Sequence, residues 1–251
     1  MKNFKSVVSV AGLITATMFF NQVCQSQAPT PTAAPSGAAP ASASAAAPSG
    51  IKGKASFAGT PPVAMPLKRN ADPFCAKTPM TDQEVVVNAN KTLKNVVIRV
   101  IKGAAPSATP PATPVTIAQD NCMYNPRVVA GMTGQKLLIK NADPIMHNIH
   151  AYVGTATGFN QAQMKGSKDI EKTIGAGVTK FKCDVHPWMT GYMVGNDNPY
   201  VCVTGDAGEC SLGNVPNGTY TVEAWHEKLG AKTVDVTVNN GIVAADFTFG
   251  Q

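Results

Sequence analysis

Cys183, His186 and Met189 stand at spacing C-x2-H-x2-M within Phe181-Lys-Cys-Asp-Val-His-Pro-Trp-Met-Thr-Gly-Tyr-Met193. A thiolate, an imidazole and a thioether are soft or borderline ligands. Together they suit copper better than calcium, magnesium or another oxygen-ligated metal. A His2Cys set with a weak axial Met is the arrangement of copper sites that transfer electrons. The loop supplies one imidazole, so a second has to be delivered by the fold.

Two histidines are candidates for it, His147 and His150, in Asn141-Ala-Asp-Pro-Ile-Met-His-Asn-Ile-His150. An odd separation along a strand puts them on opposite faces. His147 begins the strand after a turn, near a sandwich end that a ligand loop can reach, so it is read as the ligand and His150 as a surface residue. The bland alternative is that Cys183, His186 and Met189 are core residues at chance spacing. The strand before the loop and the upstream His147-Asn148 speak against it. Zinc is disfavoured because Met is a poor structural ligand for it. A binuclear copper centre would want a second Cys in the loop. The chain has four His in all, too few for a multicopper oxidase acting alone. The fourth, His226 in Trp225-His-Glu-Lys-Leu-Gly230, reads as a strand-end residue in a polar turn, with a role facing the copper module or a partner as the alternative. No Ser-His-Asp grouping, phosphate-binding Gly loop or paired acids stand out, so the expectation is a protein that is not an enzyme.

The elements that must position these ligands are strands. The chain has 251 residues, room for one or two domains. Charged residues are 14% of it, low against a typical value of about a quarter. Short Val, Thr and Ile runs punctuated by Pro and Gly read as all-β. The net charge of +6 is a mild excess with no block of Lys/Arg, so nucleic acid is not an expected partner.

Residues 1–24 read as an export signal, with Lys2 and Lys5 ahead of the apolar Val7 to Phe20. Cys24 either carries a lipid anchor or is discarded on cleavage, and Asn21-Gln-Val23 before it fits a bacterial lipobox poorly. No later run is long enough to span a bilayer. The mature protein is therefore expected in the periplasm, at the cell surface or secreted. Residues 25–50, almost wholly Ala, Pro, Ser, Thr and Gly from Ala28 onward, read as a disordered stalk.

Of six cysteines, Cys24 and Cys183 are accounted for. Cys202 and Cys210 flank a turn signal, so they could face each other across a hairpin, which leaves Cys75 with Cys122. Free buried cysteines are the alternative, but outside the cytoplasm two bridges are favoured.

The strand-like runs fall into three blocks. Ile51 to Thr60 and Leu93 to Ile101 come first, followed by the proline-rich Gly103 to Pro114. Val115 to Val194 holds closely spaced short strands, with Gly154 to Gly177 read as a loop with short strands near Gln161 and Ile170. Tyr200 to Phe249 reads as a run of hairpins turning at Gly205-Asp-Ala-Gly208, Pro216-Asn-Gly218 and Asn239-Asn-Gly241. The first block has too few strands for a sandwich, so 51–112 plus 199–251 are taken as one discontinuous β-sandwich with 113–198 inserted into it. A Cys75–Cys122 bridge would tie the insert to its host. Two sequential domains are the alternative.

Val115-Thr-Ile-Ala-Gln119, Asn125-Pro126, Gly134, Asn141-Ala-Asp143 with His147-Asn148, and Cys183-x2-His186-x2-Met189 resemble a cupredoxin, most nearly amicyanin in the short loop with Pro187 after the His. The resemblance covers about a third of the chain, Val115 to Val194. It implies a Greek-key β-sandwich with one type 1 (blue) copper held by His147, Cys183, His186 and Met189. Asn148 would brace the ligand loop by hydrogen bonds and Pro187 would stiffen it. Trp188 would be apolar cover over the copper, or part of a docking patch beside the exposed edge of His186. The implied activity is one-electron transfer with a redox partner such as a cytochrome c or a copper or quinoprotein enzyme. Copper trafficking, storage or sensing, or a mainly structural surface protein, are the rival readings. Val203-Thr-Gly-Asp-Ala-Gly-Glu209 and Asn214-Val-Pro-Asn-Gly-Thr-Tyr-Thr-Val222 resemble a carboxypeptidase regulatory-like domain, which implies that the second sandwich is Ig/transthyretin-like and structural.

Overall fold

The computed structural model describes residues 49–106 and 109–250. The expected export signal, nearly all of the stalk and Cys24 lie outside the described residues. Among those described there are sixteen strands and a single turn of 3-10 helix, Cys75–Lys77. None of their helices is long and apolar enough to cross a membrane.

In chain order the strands are β1 (Gly50–Phe57), β2 (Val97–Lys102), β3 (Val115–Asp120), β4 (Met123–Asn125), β5 (Val128–Met132), β6 (Lys136–Asn141), β7 (His147–Val153), β8 (Ala156–Gln163), β9 (Ile170–Thr173), β10 (Gly177–Lys182), β11 (Thr190–Asn196), β12 (Val201–Val203), β13 (Glu209–Gly213), β14 (Gly218–His226), β15 (Gly230–Val238) and β16 (Ile242–Phe249). They form four sheets. Two, β4-β3-β6-β9 and β5-β11-β10-β7-β8, come wholly from the middle of the chain. The other two, β13-β1-β16 and β12-β2-β14-β15, mix strands from both ends of it. The fold class is thus all-β, with two sandwiches.

Each sandwich has its own core. Ile117, Ile139, Ile149 and Phe181 fill the middle one. Ile51, Ile98, Val222 and Phe249 fill the other. Period-2 alternation does this: along β14, Tyr220, Val222 and Ala224 are buried, while Thr221, Glu223 and Trp225 are only partly so. The sandwiches meet through a small apolar contact of Val97, Val128 and Val194 with Tyr192 and Trp225 around it. Beside it, the Arg127 guanidinium grips the Glu227 carboxylate in a two-pronged ion pair, both side chains buried.

Three sequence expectations change. The final block is not a run of hairpins. β12 and β13, β13 and β14, and β15 and β16 lie in different sheets, and only β14 with β15 forms a hairpin, turning at residues 227–229. A turn residue such as Asn240, at φ 52°, reverses the chain but does not choose the partner sheet. For the same reason the Cys202–Cys210 disulfide joins opposite sheets and does not bridge a hairpin. The stretch read mainly as a loop contains the full strand β8, an edge strand paired only with β7. Most of its side chains are exposed, so it carries no apolar alternation to detect.

The third concerns residues between β1 and β2, which the sequence reading gave to the discontinuous sandwich. Part of this stretch lies on the middle sandwich instead. Cys75 is bonded to Cys122 and packs with Phe74 into the middle core. The Arg69 guanidinium donates to the carbonyls of Thr78 and Asn121. The reason is local composition: the segment has no apolar alternation, and its cystine and buried arginine find their partners in the turn between β3 and β4.

Candidate metal centre

Two elements bring the chemistry together. The β7–β10 register sets Lys182 opposite His150, so the chain leaving β10 at Cys183 begins its loop beside Asn148. The loop is held at its neck, where the Cys183 N–H donates to the Met189 carbonyl (3.4 Å) and the Met189 N–H to that of His186 (2.9 Å). Gly191 just beyond lets β4 approach, because a Cβ there would come within 2.9 Å of Tyr124 Cβ. The Tyr124 hydroxyl then reaches the carbonyls of Asn148 (2.8 Å) on β7 and Lys182 (2.9 Å) at the end of β10.

His147, Cys183 and His186 converge, their donor atoms all within 4.8 Å of one another. The His147 and His186 Nδ1 atoms are 2.9 Å apart, and Cys183 Sγ is 3.7 Å from His186 Nδ1. Exposure is 0% for His147 and 2% for both Cys183 and His186. Met189, at the far end of the loop, is fully buried in the same core. His150 lies elsewhere. It stacks on Tyr152 and meets Asp184, Asn160 and Thr157 on the outer side of the sheet.

Each imidazole is held from behind by a carboxylate. Asp143 Oδ2 is 2.7 Å from His147 Nε2, and Asp72 Oδ2 is 3.5 Å from His186 Nε2. Asp143 also accepts the N–H groups of Asn121 and Cys122, both at 2.7 Å. Asp72 Oδ1 accepts those of Phe74 (2.8 Å) and Cys75 (3.2 Å). Two further groupings of potential donors, Asp72-Cys75-His186 and Cys122-Asp143-His147, include the disulfide sulfurs, which are bonded to each other and are not thiolates. They mark where the cystine lies, against the outer side of both imidazoles.

The electrostatics follow. Burial works to lower the His147 pKa, but Asp143 and Cys183 outweigh it and hold it above the ordinary value. Burial and the neighbouring His147 charge push His186 down. Burial works to raise the Cys183 thiol, but His147 and backbone N–H groups of the loop hold it below its ordinary value. Asp143 is likewise held low, because His147 and the N–H groups of Cys122 and Asn121 outweigh burial. The Nε2 atoms face carboxylates and the Nδ1 atoms face inward.

Asn148 accepts the Asp184 N–H on Oδ1 (2.7 Å), where the Cys183 thiol also points (3.3 Å). Its Nδ2 donates to Asn160 Oδ1 and Asp184 Oδ2. The Pro187 carbonyl accepts from Lys182 Nζ at 2.8 Å. Trp188 packs its ring 5.2 Å from that of His186 and donates Nε1–H to the Cys122 carbonyl (3.0 Å). The expected exposed edge of His186 is absent, because Asp72 and its neighbours cover it. Sequence reasoning missed both carboxylates. Asp143 had a usable signal, four residues before His147 in a turn. Asp72 had none, at 114 residues before His186.

The donors fit copper. A thiolate favoured by its surroundings and two inward Nδ1 atoms, all buried, are a borderline-soft set without an oxygen ligand among them.

No family model matches the chain, and no curated protein matches it. Among solved structures it is similar to a purple cupredoxin from Nitrosopumilus maritimus, at 21% identity over 33% of this chain and 99% of that one, with a TM-score of 0.30. It is similar to amicyanin from Paracoccus versutus at 21% identity over 39% of this chain and 97% of that one, with a TM-score of 0.31. A copper-containing nitrite reductase from Thermus scotoductus is 18% identical over 38% of this chain and 24% of that one, with a TM-score of 0.30. At such scores these likenesses assign no residue and no function.

Proposed function

We propose that this is an exported copper protein of cupredoxin type that passes single electrons between partners and turns over no substrate of its own. His147, Cys183 and His186 would hold one copper, with Met189 as the weak axial ligand. When bound, copper would supply a one-electron Cu(II)/Cu(I) couple. The chain supplies the rest. Cys183 presents a thiolate, His147 gives up its Nδ1 proton, and the two carboxylates keep the Nε2 protons outside the site. Binding would therefore release protons.

The observation that carries this reading is the convergence of three buried donors whose imidazoles are each fixed from behind. A ligand set held in place by two sheets and a loop closed at its neck has little freedom to rearrange when the charge on the metal changes by one, as rapid electron transfer requires. The same burial favours retention over delivery, which needs donors that a receiving protein can reach. The second sandwich, which resembles a carboxypeptidase regulatory-like domain, would be structural. The partner would be a soluble or surface redox protein outside the cytoplasm, such as a cytochrome c or a copper or quinoprotein enzyme.

Adding one equivalent of Cu(II) to the purified protein should give an intense visible band from the thiolate. Ascorbate should bleach it, ferricyanide should restore it, and Cys183→Ala should lack it. A colourless complex that gives its copper readily to a Cu(I) chelator would sink the electron-transfer reading in favour of trafficking.

A further inference from the structure

The chain between β1 and β2 makes an excursion that reaches the metal end from outside. Residues 65–82 double back on themselves: Leu67 N–H donates to the Met80 carbonyl and Asp82 N–H to that of Met65, both at 2.8 Å. Two anchors fix this segment to the turn between β3 and β4. Cys75 is bonded to Cys122, and Arg69, only 4% exposed, forks onto the carbonyls of Thr78 and Asn121. Asp72 lies between the anchors. Its Oδ1 is taken up by two backbone N–H groups, which locks its rotamer and leaves Oδ2 facing His186 Nε2.

We propose that Arg69 to Met80 form a strap over the metal end and that Asp72 is a positioning residue for His186. It holds the ring by Nε2 so that Nδ1 faces Cys183 and His147. The inference rests on the reading of these residues as copper ligands.

An imidazole on a loop can present either nitrogen inward by rotating about its Cβ–Cγ bond, and either nitrogen can carry the proton. An ionised carboxylate only accepts hydrogen bonds, so one placed at Nε2 selects the Nε2–H tautomer and leaves the Nδ1 lone pair inward. Partners of this kind on the far nitrogen of a ligating His fix its orientation. His147 has one from its own sandwich in Asp143. Among the described residues His186 has none from its own sandwich, and the strap brings it one. Both carboxylates trace to the same anchor: Asp143 binds the Asn121 and Cys122 N–H groups directly, and Asp72 is tied to Cys122 through the disulfide.

The test compares wild type, Asp72→Ala and Asp72→Asn as full chains. In the metal-free proteins, long-range proton–nitrogen correlation of the imidazoles reads the His186 tautomer. Wild type should show Nε2–H. Asp72→Ala should show a mixture. Asp72→Asn keeps an oxygen for the Phe74 and Cys75 N–H groups but turns an amide donor toward Nε2, so it should drive the proton to Nδ1. In the copper-loaded proteins, both substitutions should weaken retention about 10–100-fold in a chelator competition and should shift the visible band. An unchanged tautomer, or copper retention and a band equal to wild type, would overturn the proposal. If no form binds copper, the ligand reading fails while the metal-free tautomers still decide whether Asp72 orients His186. Asp72→Asn, nearly isosteric, keeps the test available if Asp72→Ala does not fold. Cys75→Ser/Cys122→Ser should weaken copper retention in the same direction, because it frees the strap.

Discussion

His147 and His226 occupy similar places and behave in opposite ways. Each sits at the end of a strand, His147 opening β7 and His226 closing β14, and each is buried, at 0% and 1% exposure. His147 has Asp143 on one nitrogen and His186 on the other, with the Cys183 thiol beside it, and its pKa is raised. His226 accepts the Lys228 and Leu229 N–H groups on Nδ1, has no partner on Nε2 among the described residues and faces Phe249. Burial, helped by the Arg127 charge, pushes its pKa down to about 4. Burial alone makes an imidazole neutral and inert, and it takes anionic partners to reverse that. What sets His147 apart is the presence of partners strong enough to overcome burial, whereas His186 beside it stays pushed down. The sequence reading of His226 as a residue in a polar turn holds for its chain position but not for its surroundings.

The same contrast runs through the two sandwiches, and the largest expected effect tests how they are joined. Arg127 of the middle sandwich and Glu227 of the other form a buried ion pair, with side chains 5% and 3% exposed. Arg127→Ala should cost about 3–5 kcal/mol in denaturant unfolding, because it leaves the Glu227 carboxylate buried without a counter-charge. Arg127→Met/Glu227→Leu should recover most of that loss. If the single substitution costs nothing measurable, the two sandwiches do not depend on this pair.

Next in size is the pH dependence that His226 imposes. Its pKa is about 4 in the folded chain against an ordinary 6.5. Below 6.5 the unfolded chain therefore binds a proton that the folded one does not. The folded state loses stability as the pH falls from 6.5 toward 4, by up to about 3 kcal/mol. Chemical denaturation of wild type and His226→Asn across that range is the check. Wild type should lose stability relative to His226→Asn as the pH falls, and a difference that stays constant would contradict the account of His226 as a histidine kept neutral by burial.

Much of the candidate site's convergence was legible because its potential donors obey local rules. C-x2-H-x2-M is what one tight loop between two antiparallel strands can present, and strand alternation separated His147 from His150. The all-β class was legible from alternation in segments such as Tyr220 to Ala224. What was hidden depends on partners distant in the chain. Nothing near Asp72 distinguishes it from any acid in a turn, since its role is created by a disulfide to Cys122 and by the fold of a segment without apolar periodicity. β8 was hidden because an edge strand with two solvated faces has no pattern to match. The sheet crossings after β12 were hidden because Asn-Gly turns report a reversal of direction and say nothing of the strand that accepts the hydrogen bonds.

The smallest expected effect returns to the comparison with a matched pair of braces. In the middle sandwich, Asn148 Oδ1 accepts the Asp184 N–H at the neck of the ligand loop. In the other, Thr204 Oγ1 accepts the Val96 N–H (3.0 Å) and donates to the Leu93 carbonyl (2.7 Å). Asn148 ties the loop to β7, and Thr204 ties the residues after β12 to those before β2; Asn148→Ala and Thr204→Val should each lower stability by about 1–2 kcal/mol. Their effects on copper should differ. Asn148→Ala removes the group that meets both the Cys183 sulfur and the next backbone N–H, so the visible band should shift and copper should leave faster. Thr204→Val should leave both as in wild type. Equal spectral shifts in the two variants would mean that the loop senses general loosening of the protein, and the distinction between a bracing contact for the ligands and one for the fold would fall.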